Sequence, residues 1–150
     1  MYRFWLFVHI TGLLGFVGVH GTSAAVGLGL RRERDPERIR AMLELSAATR
    51  VPMYASLALL LTGGVVNGFL GHWWGQGWIW IALGLFVAMA ATLVGLAMPY
   101  YRRVRACLER RDIADSELHR LLRSPVPVAI LLVGGVGLLT ILWLMIYKPS

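Results

Sequence analysis

Residues 78–101 read WIWIALGLFVAMAATLVGLAMPYY and contain no charged side chain. A helix needs about 20 apolar residues to cross the hydrocarbon core of a bilayer. Inside that core the backbone must satisfy its own hydrogen bonds, so this stretch predicts a transmembrane helix. The alternation of polar and apolar residues that is typical of a transmembrane β-barrel strand does not occur in it.

Three further stretches have the same character: residues 4–30, 51–70 and 125–147. The chain of 150 residues is 15% charged, whereas about 25% of residues are charged in an average soluble domain. A net charge of +7 occurs in nucleic-acid-binding proteins, but here the charges are confined to the segments outside the apolar stretches. We therefore predict a single membrane domain over residues 1–150, an all-α polytopic four-helix bundle without a nucleic-acid partner.

Arginine is concentrated in two of the three connections between these stretches. Residues 31–50 contain six arginines and residues 102–123 contain seven. Because Lys and Arg accumulate on the cytoplasmic side of membranes, we predict that both connections are cytoplasmic, with both termini outside, in a plasma (inner) membrane. All six tryptophans then map to the outer interface, where amphipathic rings are enriched: Trp5, Trp73, Trp74, Trp78, Trp80 and Trp143.

The charged connections have helical features of their own. Asp35 and Pro36 are suited to the N-cap and the first position of a helix, and Ile39, Met42 and Leu43 follow at helical spacing. We predict a short interfacial helix here, with its apolar face on the membrane, and a second one in the other charged connection. Arg-rich helices beside a membrane attract anionic lipid, so we expect anionic lipid as a partner.

The two halves of the sequence resemble each other. Each half has a long apolar stretch, a charged connection, an Arg-x-Pro tripeptide and a second apolar stretch. Residues 58–65 have the sequence ALLLTGGV, which includes Leu59 and Leu60. They correspond to residues 129–136, which have the sequence AILLVGGV. This correspondence predicts two helical hairpins that are parallel repeats about an axis along the membrane normal.

Small residues at helical spacing indicate close helix contacts. Gly64 and Gly68 form one small-x-x-x-small stripe, and Gly84, Ala88 and Thr92 form another. Such stripes allow close packing within a bundle or between protomers. We therefore expect a homo-oligomer or a subunit of a membrane complex.

Two histidines of the first stretch are the leading candidates for a functional site. His9 and His20 are 11 residues apart, so they share one face of a helix, separated by about 16 Å along its axis. Ionisable residues inside a span are costly and usually face the protein interior, where they often have a function. In the alternative interpretation, each histidine is structural and bonds to a polar residue of a neighbouring helix: Thr62, Asn67, Thr92 or Thr140.

A third histidine, His72, lies in the outer connection at a depth similar to that of His9. The pair could ligate a haem iron or a metal ion near the outer face, since neutral imidazole suits both iron and copper. His20 would need a methionine, water or another protomer as its partner, and Met89 lies closest to the same depth. Phosphate-binding loops, dinucleotide fingerprints and paired carboxylates do not occur in the sequence.

Residues 6–12 (LFVHITG), followed by residues 16–18 (FVG), resemble the first span of the copper-resistance-D-like integral membrane proteins and their uncharacterised four-span relatives. Those families show an early histidine and a Trp-x-Gly motif seven residues later, within a four-helix unit. The haem-binding, four-helix type of protoporphyrinogen oxidase has a similar first-span histidine. The resemblance implies a four-helix scaffold and a functional role for His9, although Phe16 stands where the family usually has tryptophan.

Three functions stay open at this point. The first is haem b binding for electron transfer or redox sensing, with His9 as ligand, His72 or His20 as second site, and Lys148 and outer indoles near the propionates. The second is a non-catalytic accessory or oligomeric membrane subunit in which the histidines are structural. The third is copper handling by the same histidines, which the absence of any Met-x-Met or His-rich tract makes weaker.

Overall fold

The computed structural model describes residues 1–109 and 115–148. Its elements in chain order are α1 (Tyr2–Leu30), α2 (Pro36–Ala48), α3 (Arg50–Leu70), a short 3-10 turn (Trp73–Gly75), α4 (Gly77–Glu109), α5 (Asp115–Leu122) and α6 (Val126–Tyr147). The four stretches that contain α1, α3, α4 and α6 are long and apolar enough to cross a membrane. The predicted all-α four-helix architecture is therefore confirmed.

The helix of the third apolar stretch is longer than the sequence predicts. It continues past Tyr101 to Glu109, with Pro99 inside it. A proline removes one backbone hydrogen bond, and the remaining bonds of the ladder hold the helix together across it. The change from apolar to charged residues marks the edge of the membrane segment and not the end of the helix.

The four long helices pack as two close pairs. α1 packs along α3, α4 packs along α6, and contact between α1 and α6 joins the pairs. Glycine makes the first pair possible, because a Cβ at Gly12 would lie 2.7 Å from the Leu60 Cα and one at Gly63 would lie 2.6 Å from the His9 backbone nitrogen. This arrangement agrees with the two hairpins expected from the internal correspondence.

The two small-residue stripes lie in different surroundings, one against other side chains of the bundle and one on its outer surface. Gly64 and Gly68 accommodate the side chains of His9 and Trp74, since a Cβ added at these glycines would lie 3.1 Å and 3.0 Å from the nearest atoms of the two rings. A Cβ at Gly84 would meet nothing within 4 Å, and Ala88 and Thr92 are exposed. The second stripe therefore faces away from the bundle, and of its two predicted roles, contact within the bundle or between protomers, only the second stays a prediction.

The described parts of the charged connections fold onto one end of the bundle, which we call the arginine end. Asp35 caps α2 by accepting a hydrogen bond of 3.0 Å from the Glu37 N–H. The apolar side chains Ile39 and Leu43 are buried, so the prediction that this face lies on the membrane is wrong. They pack against an apolar cluster supplied by the other helices: Val26, Leu30, Tyr100, Val104 and Leu122. The extension of α4 beyond its apolar stretch provides part of that cluster.

The opposite end of the bundle contains the turn Trp73–Gly75, the start of α1 and the end of α6. We call it the tryptophan end. Its turn is set by His72, which adopts a left-handed backbone conformation with φ of 54°. Gly71 lies directly before it and leaves room for the Trp73 indole, because a side chain at Gly71 would meet that ring.

Candidate ligand site at the tryptophan end

A cavity of about 260 Å³ lies between α1, α3, α4 and α6 in the half of the bundle next to the tryptophan end. Most of its wall is aliphatic or aromatic, and its polar or amphipathic lining residues form a short set: Tyr2, His9, Asn67, Trp73, Trp74, Trp78 and Lys148. A dry protein cavity of about 150 Å³ is large enough to bind benzene. The cavity described here therefore has room for a substituted single ring.

His9 lines this cavity with its ring orientation fixed by the backbone of α3. Its Nδ1 lies 2.7 Å from the Leu60 carbonyl oxygen. A carbonyl oxygen can only accept, so Nδ1 carries the proton and donates, and Nε2 of the neutral imidazole has a free lone pair. Nε2 has no hydrogen-bond partner among the described residues, which leaves it available to a ligand in the cavity.

Each of the two Gly-Gly pairs in the sequence accommodates one histidine of α1. Gly63 and Gly64 of α3 border His9, and Gly134 of α6 borders the imidazole of His20, which a Cβ at that position would meet. The similarity between the two halves of the sequence therefore has a role in helix packing, which could not be predicted from the sequence. Both histidines face the interior, as their helical spacing predicts.

His20 is only 7% exposed and stacks on Phe16, with ring centroids 6.0 Å apart and an interplanar angle of 5°. Its Nε2 has no hydrogen-bond partner among the described residues. None of the predicted polar residues bonds to either histidine. Thr92 and Thr140 instead donate to carbonyls of their own helices, because a threonine hydroxyl reaches the carbonyl four residues earlier.

His72 does not share the cavity that His9 lines. His72 is exposed and is not part of the cavity wall. Met89 is buried with its sulfur beside Gly137, one turn along α6 from the glycine that borders His20. Within the described part of the chain, no group of three or more His, Cys, Asp or Glu side chains is placed to hold a metal ion.

Asn67 belongs to the site, but the sequence predicted it only as a possible hydrogen-bond partner of a histidine. It is 3% exposed and lines the cavity, and neither its Nδ2 nor its Oδ1 has a partner among the described residues. The same holds for Nε1 of Trp74. Each unpaired buried polar group costs about 1–3 kcal/mol. An amide in an otherwise apolar span was the available signal.

Aromatic rings and one ammonium group close the cavity at the tryptophan end. Lys148 directly follows α6 as its C-cap, and its Nζ lies 4.1 Å from the centroid of the Trp73 ring and 5.9 Å from that of Trp78. A cation over an aromatic face is attracted by the ring quadrupole. The Trp78 indole donates to the Gln76 side chain, which fixes its ring. Lys148 and the indoles therefore gather beside the site.

Two residues of the cavity wall are also exposed. Leu61 and Val65 of α3 line the cavity and are 39% and 42% exposed. α3 and α4, both fully described, do not pack closely on each other. A ligand with an apolar tail could therefore reach into the bilayer between these two helices while its head occupies the cavity.

Comparison with known proteins identifies a family that matches the chain. The family described as "Predicted integral membrane protein (DUF2269)" matches residues 3–149. No curated protein and no solved structure matches the chain. The resemblance to copper-resistance-D-like proteins is not confirmed by this match. The matched region includes α3, α4 and α6, all of α1 after Tyr2, and every residue of the cavity wall except Tyr2, and the chain belongs to the DUF2269 family of predicted integral membrane proteins.

Proposed function

We propose that this membrane protein binds a lipid-soluble phenol or quinol, a molecule with a single ring that carries a hydroxyl group, in the cavity at the tryptophan end. The observation that carries the proposal is the buried amide of Asn67, which has no partner among the described residues and lines the same cavity as His9. Apolar walls with a few convergent polar groups are typical of small-molecule sites.

The polar groups of the site match the two capacities of a hydroxyl group. Its O–H donates to Nε2 of His9, which accepts because Nδ1 holds the proton. Its oxygen accepts from Nδ2 of Asn67 or from Nε1 of Trp74, both of which are unpartnered without a ligand. The ring then fills the apolar part of the cavity, and an alkyl tail passes Leu61 and Val65 into the bilayer.

The test uses two matched probes, para-decylphenol and decylbenzene, added to the purified protein in micelles. A ligand that binds only the native state stabilises it, by about 2.7 kcal/mol when its free concentration is 100 times Kd. We expect decylphenol to raise the midpoint of thermal unfolding and decylbenzene to raise it much less, because decylbenzene leaves the polar groups unpaired.

The matched variants are Asn67→Leu and Thr62→Val. Thr62 is exposed on the same helix and does not line the cavity. Asn67→Leu removes the amide at similar volume and is expected to reduce the difference between the two probes, because only His9 and Trp74 remain to pair with the hydroxyl, whereas Thr62→Val keeps the full difference. An Asn67→Leu protein that still distinguishes decylphenol from decylbenzene as the unaltered protein does would contradict the proposal.

Metal or haem ligation at His9 is the second candidate, and it rests on one observation. Metal-ligating histidines usually donate their other ring N–H to a carbonyl or carboxylate, as Nδ1 of His9 does to Leu60. The donor therefore fits an iron ligand, but a cavity of about 260 Å³ does not hold a tetrapyrrole unless α3 and α4 separate. Haem binding with His72 or His20 as second site, and copper handling, stay predictions.

An absorption spectrum of the purified protein tests this second candidate. Bound haem b shows a Soret band and sharp α and β bands on reduction, and it would supply one-electron redox chemistry. His9→Ala would remove these bands if His9 is the ligand. A colourless protein without bound metal would contradict the haem and copper predictions and leave the phenol site untouched.

A further inference from the structure

A second concave region lies at the arginine end, where α1 ends beside the segment that connects α5 to α6. Its volume is about 820 Å³, and its lining residues are Leu28, Gly29, Arg31, Arg32 and Arg123. The two elements that form it are held together by a hydrogen bond of 3.4 Å from Nη2 of Arg31 to the carbonyl oxygen of Arg123. Three arginines therefore line one space.

These three guanidinium groups have no acidic partners in residues 1–109 and 115–148. The ion pairs described there join Arg38 to Glu33 at 4.0 Å and to Asp35 at 3.6 Å. Arginines that are packed around a concave surface without carboxylates leave an excess of positive charge at that place. Guanidinium groups bind phosphate oxygens through paired, charge-assisted hydrogen bonds, so a phosphate group suits this region.

The remaining lining residues indicate where the phosphate comes from. Leu28 and Gly29 belong to the last turn of α1, and Leu28 is 36% exposed on the surface of the apolar stretch. One side of the concave region is thus continuous with the surface that faces lipid tails. A free phosphate ion would use the arginines alone, whereas a phospholipid would also cover this apolar side.

We propose that this region is a binding site for the phosphate group of an anionic phospholipid, with its glycerol and acyl chains along Leu28. It differs from the general attraction of basic helices to anionic membranes, because it assigns the binding to three particular arginines. It is also independent of the cavity at the tryptophan end, which lies in the other half of the bundle.

The test compares lipids and variants in detergent micelles. Short-chain phosphatidylglycerol and phosphatidylcholine are titrated separately, and the apparent affinity is taken from the rise in the unfolding midpoint. The test variant is Arg32→Gln with Arg123→Gln, whose side chains make no described hydrogen bond, so folding is preserved. The control is Arg40→Gln, an exposed arginine of α2 outside the site.

We expect phosphatidylglycerol to bind more tightly than phosphatidylcholine. A charge-assisted hydrogen bond lost at each arginine weakens binding, so the double variant should bind phosphatidylglycerol at least about tenfold more weakly, and Arg40→Gln should bind it normally. An equal loss of phosphatidylglycerol affinity in Arg40→Gln would show that the basic residues attract the lipid diffusely, and it would overturn the proposed site. Equal binding of the two lipids would also overturn it.

A third arm distinguishes the source of the phosphate. Inorganic phosphate and glycerol phosphate are added at the concentrations used for the lipid. We expect them to raise the midpoint far less than phosphatidylglycerol, because they leave Leu28 uncovered. The same rise with inorganic phosphate alone would overturn the assignment to a phospholipid and show a site for the free ion.

Discussion

Replacing Gly134 with alanine tests how His20 is held in the bundle. A Cβ at Gly134 would meet Nε2 and Cε1 of the His20 ring and would lie 3.0 Å from its Cδ2. The ring cannot turn aside freely because it stacks on Phe16. At the next position, Gly135, an added Cβ would meet nothing within 4 Å. The two alanine variants therefore have the same composition and differ only in whether the added methyl group meets the His20 ring.

The magnitude follows from these contacts. Overpacking a well-packed interior costs about 1–3 kcal/mol, whereas alanine in place of glycine inside a helix gains about 0.5–1 kcal/mol. Gly135→Ala is expected to be slightly more stable than the unaltered protein. Gly134→Ala is expected to be less stable than Gly135→Ala by about 1–3 kcal/mol. Both variants gain the same helix stabilisation from alanine, so the difference between them reports the clash alone.

The assay is the free energy of unfolding of each purified variant in mixed micelles, with His20→Ala added to the Gly134→Ala background. Removing the imidazole removes the clash, so the double variant should recover part of the lost stability. Equal stability of Gly134→Ala and Gly135→Ala, or no recovery on adding His20→Ala, would refute the placement of His20 against α6.

Three further predictions concern orientation, helix packing and the cavity. A cysteine that replaces the exposed Gly75 should react with a membrane-impermeant thiol reagent added to intact cells, while Cys107 should not react; labelling of Cys107 alone would reverse the predicted orientation. Gly63→Ala should destabilise more than Gly64→Ala in the same unfolding assay, because its Cβ would lie 2.6 Å from the His9 backbone nitrogen, whereas at Gly64 the nearest atoms are those of the His9 ring, at the longer distance of 3.1 Å. Asn67→Leu should raise the stability of the ligand-free protein by about 1–3 kcal/mol, since it removes an unpaired buried amide, and a loss of stability would show that the amide has a partner.

The membrane architecture could be predicted from the sequence because it depends on one-dimensional properties. The length of an apolar stretch decides whether a helix can span the bilayer. The spacing of His9 and His20 decides that they share a face. Both properties are local, so the four long helices and the inward direction of the two histidines follow without knowledge of the packing.

The site depends on which helices pack together, and the sequence does not contain that information in a local form. The partner of His9 is the backbone carbonyl of Leu60, and every residue has such a carbonyl, so no residue type marks it. Whether the apolar face of α2 meets lipid or protein depends on how far α4 extends, and that extension passes through Pro99. The unpartnered state of Asn67 likewise emerges only when the surrounding helices are in place.

The most direct test of the phenol site is nitrogen NMR of the imidazole of His9 in protein labelled with ¹⁵N-histidine, titrated with para-decylphenol. The structure predicts that Nδ1 of His9 is protonated before and after binding, because it donates to the Leu60 carbonyl. The resonance of Nε2 should move as this atom accepts a hydrogen bond from the phenol, while the exposed His72 stays unchanged, and decylbenzene should leave both residues unchanged. An Nε2 resonance of His9 that does not move at decylphenol concentrations that saturate the protein would contradict the account.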